Sequence, residues 1–277
     1  MAISQAHMNE RVFDYQGRRV PYVYWSTPGR AQKKTIIFLG TVQVANLPKW
    51  VVEACPLNTI VVQGAPHWIA HDDGSDMPEL MLAFTKCVVE SLIADCDVQT
   101  MDVIAESQAV PAVLMLFSKQ EYVSYLHHLV LVQPLGLNRA AFPSTRQERL
   151  RIFSRRIVAN AVHQVTALLF DARLRYNHRI VRQTVGISNQ KTHLQYDSGL
   201  KYDSVPDLKR LYEANQNIAV VCGGRDKIFP YREIIDTLAR NEIDVEVRVI
   251  NGVPHSPLAT KYGQRLLDAA LYTRFHS

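Results

Sequence analysis

Ser107, Asp226 and His255 are far apart in the chain, yet they have the types that nucleophilic acyl transfer needs. One offers a hydroxyl to attack, one an imidazole to take its proton, one a carboxylate to orient the imidazole. Ser107 stands in Ala105-Glu106-Ser107-Gln108-Ala109, between the apolar run Val98–Ile104 and the apolar segment Ala109–Phe117. A serine at so sharp a strand-to-helix turn is held out on a nucleophile elbow, and the turn crowds the positions two before and two after it, which must be small. Both are alanine here. Ordinary turns also carry serines between small residues, so the pattern does not decide by itself. The order of the other two groups does. Asp226 follows Asn217–Cys222 in Gly223-Gly224-Arg225-Asp226-Lys227-Ile228-Phe229-Pro230, and His255 comes 29 residues later, after Val245–Ile250, in Asn251-Gly252-Val253-Pro254-His255-Ser256-Pro257. Each group follows a strand, at the carboxyl edge where open α/β sheets build their sites.

The elements that must position them are legible from hydrophobic pattern. Around Gln16-Gly17, the stretch Arg11–Gly29 reads as two extended runs of a hairpin. Thr35–Leu39 and Asn58–Gln63 are short apolar strands stopped by Gly40 and Gly64, and Leu129–Gln133 is another, closed by Pro134. Pro78–Ala94 carries Leu80, Phe84, Val88 and Leu92 at helical spacing, and a last helix is predicted over Leu258–Tyr272. Strands apolar throughout and separated by helices imply a mostly parallel sheet covered on both faces. From Arg139 to Arg182 there is helical periodicity and no strand. The expected organisation is therefore an α/β core of residues 1–135 and 206–277, interrupted by a helical cap of 136–205.

Composition agrees with a globular chain. The 277 residues are 47% hydrophobic and 21% charged, with net charge +5. That excludes a disordered chain, a collagen or a coiled coil. A chain this long buries roughly three quarters of its unfolded surface and needs no disulfide staple. Cys55, Cys87, Cys96 and Cys222 form no C-x-x-C pair and read as ordinary thiols of a reducing compartment. No secretory signal is visible at the amino end, and no apolar run approaches the roughly 18 residues of a membrane span. A cytoplasmic protein is expected.

Taken together, AESQA around Ser107, GGRDKIFP around Asp226 and GVPHSP around His255 resemble the α/β-hydrolase superfamily, as do IFLG at an early strand end and HDDGSD after the next. The resemblance spans nearly the whole chain in element order. It implies an α/β-hydrolase fold with Ser107 as nucleophile, His255 as general base and acid, and Asp226 as the partner of His255. It also implies an oxyanion hole of two backbone N–H groups, one from Gln108 and one from the loop Gly40-Thr41-Val42-Gln43. Thr41 is the expected second donor and Val42 the fallback. The superfamily's usual His-Gly is Leu39-Gly40 here. The expected activity is hydrolysis of a carboxylic ester or thioester through an acyl-enzyme, with no metal and no organic cofactor. Alternatives on the same fold are cleavage of a carbon–carbon bond in a diketone, and a non-catalytic binding protein.

The segment Arg139–Arg182 contains ten arginines, no lysine, and only Glu148 and Asp171 as acids. Leu150, Phe153, Ile157, Ala161, Val165 and Leu168 mark an apolar stripe, with Arg149, Arg151, Arg155 and Arg156 mostly off it. Arg175, Arg179 and Arg182 share one helical face. Such a face is often merely solvated. Guanidinium groups also grip carboxylate and phosphate bidentately, so Arg151, Arg155, Arg175, Arg179 and Arg182 are candidates for docking an acidic protein such as an acyl carrier protein, the phosphates of coenzyme A, or an anionic membrane surface. Nucleic acid ranks last, since no recognition fold accompanies the patch.

Other residues invite chemistry and have plainer readings. His67, His71, Asp72 and Asp73 could suggest a metal but fit a surface loop, with His67 or Trp68 at the pocket mouth. His127 and His128 read as exposed turn residues before a strand. Glu106 is expected to point away from the reacting serine. Asp102 is a weaker acid candidate than Asp226, and Cys222 reads as packing within its strand.

Overall fold

The computed structural model describes residues 7–28, 33–40, 55–66, 69, 76–96, 98–138, 142, 143, 145–170, 197–256, 258 and 261–276. Among these, eight strands form one sheet: β1 (His7–Tyr15), β2 (Arg18–Ser26), β3 (Lys33–Phe38), β4 (Thr59–Val62), β5 (Thr100–Glu106), β6 (Leu126–Val132), β7 (Asn217–Gly223) and β8 (Glu246–Ile250). Their order across the sheet is β1-β2-β4-β3-β5-β6-β7-β8. The pairs β1–β2 and β2–β4 are antiparallel and all others parallel. The hairpin turns at Gln16 and Gly17, with φ of 51° and 76°. Two successive positive φ values give the tight turn whose twist matches that of the strands.

The inner parallel strands are mostly apolar on both sides because both sides are covered, whereas the edge strand β8 is only partly buried. Ile36 and Phe38 of β3 and Leu129 and Leu131 of β6 join one core, with α1 (Met77–Cys96) and α2 (Ala109–Phe117). Ile37, Ile104, Val130 and Val221 join the other, beneath Leu266, Leu267 and Ala270 of α7 (Lys261–His276). Leu80, Phe84, Val88 and Leu92 are all buried, as their spacing in α1 requires.

Three further helices were not anticipated: α3 (Gln120–Val123), α5 (Val205–Glu213) and α6 (Tyr231–Arg240). The last two bury Val205, Leu208 and Leu211, and Ile234 and Leu238. Both are strongly amphipathic, so their helical period is present in the sequence, but in segments of only nine and ten residues. Pro206 in the first turn of α5 and Pro230 just before α6 were the available start marks.

The segment 136–205 runs between β6 and α5. Its described part is chiefly α4 (Arg146–Phe170), a 25-residue helix, with a helical turn at 197–201. The histidine expectation needs correction. His127 and His128 belong to β6, and strand alternation leaves His127 exposed but buries His128 to 1% exposure. Asp102, on the neighbouring β5, is buried and pairs with His127 at 2.8 Å and Lys33 at 3.3 Å.

Candidate active site

β3 sends the chain to β4 on one side, whereas β5 pairs on its other side. The carboxyl ends of β3 and β5 therefore border a crevice at the point where the strand order reverses, the usual place for a ligand in an open α/β sheet. Ser107 stands at the end of β5. Its φ is +50°, in the left-handed region, which costs a non-glycine residue about 1 kcal/mol or more. The surrounding turn holds it there. Its N–H donates to the Val132 carbonyl at 2.9 Å, and its carbonyl accepts from Val110 and Leu135 at 3.2 and 3.3 Å.

Asp226 and His255 come to the same edge from the loops after β7 and β8. Gly223 permits their approach, since a Cβ there would lie 2.5 Å from the Val253 carbonyl oxygen. His255 Nδ1 lies 2.8 Å from Asp226 Oδ2, and Nε2 lies 3.3 Å from Ser107 Oγ. A carboxylate can only accept, so Nδ1 carries the proton that faces Asp226. That leaves the Nε2 lone pair directed at the serine hydroxyl. The other Asp226 oxygen accepts N–H bonds from Ile228 and Phe229, both at 2.8 Å. The Phe229 ring meets the imidazole edge to face at 5.2 Å.

Two side-chain amides clamp the backbone around the imidazole. Gln133, at the end of β6, donates to the Pro254 carbonyl at 3.0 Å and accepts from the Ser256 N–H at 3.2 Å. Asn160, on α4, donates to the His255 carbonyl and accepts from the His255 N–H, both at 2.9 Å. Neither amide was picked out in the sequence. Asn160 did leave a trace there: it lies seven residues after the buried Phe153, a polar group on a core-facing stripe.

Glu106 is buried and serves the backbone. Its carboxylate accepts the Gly40 N–H at 3.0 Å and the Leu258 N–H at 2.7 Å. Gly40 is thus not an available oxyanion donor. Gln108 opens α2 and is 1% exposed, while Thr41 and Val42 lie outside the described residues. The Gln108 side chain is unusual. Neither its Nε2 nor its Oε1 has a partner among the described residues, and a buried unpaired polar atom costs about 1–3 kcal/mol. Cavities of about 20 Å³ flank Gln108, one bordered by Gly40 and Gly64, the other by Met115, Leu135 and Tyr202.

The arginines divide by environment. Arg151 and Arg155 are exposed on α4, and Arg175, Arg179 and Arg182 lie outside the described residues. Arg149 and Arg156 do not belong to a solvated face. Arg149 is 1% exposed and pairs with buried Asp197 at 2.9 Å. Arg156 makes a two-pronged bond to Glu233 at 2.9 and 2.8 Å. Cys222 is buried, and burial pushes its thiol well above the ordinary value, which leaves it no nucleophile. His67, His71, Asp72 and Asp73 fall outside the described residues. Among the described ones, no cluster of three metal-ligating side chains occurs.

No family model matches the chain, and no curated protein resembles it significantly in sequence. Solved structures do share its fold. A bromoperoxidase from Bacillus anthracis superposes with TM-score 0.64 at 12% identity, covering 97% of this chain and 100% of that one. A 2-hydroxy-6-oxo-6-phenylhexa-2,4-dienoate hydrolase from a Rhodococcus strain gives 0.64 at 14% identity, covering 99% and 100%. A structure from Nitrososphaera gargenis, described with the activity profiles of carboxylesterases, gives 0.61 at 13% identity, covering 96% and 100%.

Proposed function

Starting from an α/β-hydrolase fold, we propose that this chain is a serine hydrolase that cleaves a carboxylic ester or thioester. The observation that carries the reading is the continuous chain from Ser107 Oγ through the His255 ring to Asp226. As the Ser107 oxygen attacks the carbonyl carbon, its proton passes to His255 Nε2. Asp226 stabilises the imidazolium so formed and holds the ring's tautomer. The Gln108 N–H and an N–H of the segment after β3, Thr41 by preference, receive the oxyanion. His255 returns the proton to the leaving alcohol or thiol. Water, deprotonated in turn by His255, then attacks the acyl-enzyme, releases the acid and restores Ser107. Loss of the base or of an oxyanion donor is expected to cost about 10²–10⁴-fold in rate.

Segment 136–205 is the proposed cap over the acyl group. Its exposed Arg151 and Arg155 support, within this reading, a leaving group carried on an acidic carrier protein or on coenzyme A. Among the described residues no helix is long and apolar enough to cross a membrane.

The test is intact-mass detection of a fluorophosphonate adduct, run beside hydrolysis of short and medium p-nitrophenyl esters, on wild type and Ser107→Ala. One adduct and ester turnover, both lost in the variant, are expected. A well-folded wild type that takes no adduct would overturn the reading. Arg151→Glu/Arg155→Glu addresses the carrier: weaker turnover of a carrier-bound thioester with simple esters unaffected supports docking, and equal effects on both reject it.

A further inference from the structure

We propose that α4 is a positioning element for the acid and the base together: Arg156 holds the loop that carries Asp226, and Asn160 holds the backbone of His255. The inference rests on the serine-hydrolase reading for its catalytic consequence, and on hydrogen bonds for its geometry.

Residues four apart on a helix share one face, and here that face meets both loops. The Arg156 guanidinium donates to the Ile228 carbonyl at 3.0 Å. The Ile228 N–H in turn donates to Asp226 Oδ1 at 2.8 Å. Ile228 is thus gripped at both ends, between α4 and the carboxylate that orients the imidazole. The two-pronged bond to Glu233, in the first turn of α6, fixes the guanidinium plane, and the Phe142 ring lies under it at 4.8 Å. One turn on, the Asn160 amide is 4% exposed and bonds both the N–H and the carbonyl of His255.

A side-chain amide bonded to both main-chain groups of one residue restricts that residue's position and tilt, and so the direction of its Cα–Cβ bond. Gln133 restrains the two neighbours of His255, but it does so from the sheet. The Asn160 pair acts on His255 itself, and from α4. Sliding or tilting α4 would loosen acid and base in one movement. A reacting group displaced by about 1 Å can lose about 10²-fold in rate, so the register of this helix reaches the chemistry without any contact to the reacting atoms.

The test compares full-length wild type, Asn160→Ala, Asn160→Asp and Arg156→Lys. Its readouts are kcat and KM for a short p-nitrophenyl ester, fluorophosphonate labelling rate, thermal melting, and the low-field NMR proton of the His255–Asp226 hydrogen bond. Asn160→Ala is expected to lower kcat and labelling by about 10–100-fold with KM within about twofold, and to broaden or remove the low-field proton. Asn160→Asp, which still accepts the His255 N–H but sets an oxygen against its carbonyl, is expected to lose kcat as well. Should Asn160→Ala melt below the assay temperature, Arg156→Lys carries the same expectation at smaller size. A folded Asn160→Ala or Arg156→Lys with wild-type kcat and an intact low-field proton would overturn the proposal, as would a loss confined to KM. A wild type that neither labels nor turns over would overturn the hydrolase reading instead. The low-field proton would then still decide whether Asn160 holds the imidazole.

Discussion

The carboxylate of Glu106, the residue just before Ser107, accepts the backbone N–H of Leu258, three residues past His255, at 2.7 Å. With its other oxygen on the Gly40 N–H, one buried side chain joins the ends of β3 and β5 to the histidine loop. Burial pushes this carboxyl above its ordinary value of 4.5, against the pull of the two N–H donors and of His255.

That shift makes a prediction about stability and pH. A carboxyl raised by folding contributes its full stability below 4.5, where both folded and unfolded chains hold the proton, and loses it as pH climbs through the raised value. Wild type is therefore expected to lose stability relative to Glu106→Gln as pH rises above 4.5. The variant should carry a constant penalty of about 1–3 kcal/mol for facing an N–H donor with an NH₂ group. Melting of both proteins from about pH 4 to 8 reads the difference. A gap that does not move with pH would contradict the assignment.

Gly223 is the second test. A methyl there would lie 2.5 Å from the Val253 carbonyl oxygen and 3.1 Å from that of Pro254. Gly223→Ala is expected to cost about 1–3 kcal/mol by overpacking, and to lower ester turnover by pushing the histidine loop away. Gly17→Ala, in the open β1–β2 turn at φ +76°, is expected to cost about 1 kcal/mol of backbone strain and leave turnover alone. Equal turnover in the two variants would show that the close approach is not needed.

Gln108→Met removes two buried amide atoms that have no partner among the described residues. Keeping the size while removing unpaired polar atoms is expected to raise stability by about 0.5–2 kcal/mol, read as a higher Tm. A lower Tm would mean that the amide is bonded in the folded protein.

The arginines give a contrast within one helix. Among the described residues, Arg149→Met leaves the buried Asp197 with the more exposed Lys201, at 3.5 Å, and Arg146, at 3.8 Å. Loss of one partner of a buried pair costs about 3–5 kcal/mol, and the lower end is expected because those two remain. Arg151→Ala, on the exposed face, is expected within about 0.5 kcal/mol of wild type. Urea unfolding of both checks the ranking, and similar losses would show that burial does not separate them.

Local pattern alone was enough for much of this protein. A strand buried on both faces must be largely apolar, so the inner parallel strands and α2 could be read directly. Ser107, Asp226 and His255 could be read because each sits in a short segment just after a strand, and chain order then predicts a shared sheet edge. What lay beyond the sequence depends on contacts between distant segments. Alternation along β6 buries His128, but no local signal says that β6 begins early enough to include it. The arginines of the periodic segment look alike in sequence; burial against Asp197 and Glu233 set Arg149 and Arg156 apart from Arg151 and Arg155. Glu106, Gln133 and Asn160 act through backbone groups 66 to 152 residues away. A main-chain N–H or carbonyl has the same chemistry whatever its side chain, so the sequence carries no mark of which one a distant amide or carboxylate will find. Residue types and strand ends determined the nucleophile, base and acid to expect. Tertiary packing alone decided what holds them in place.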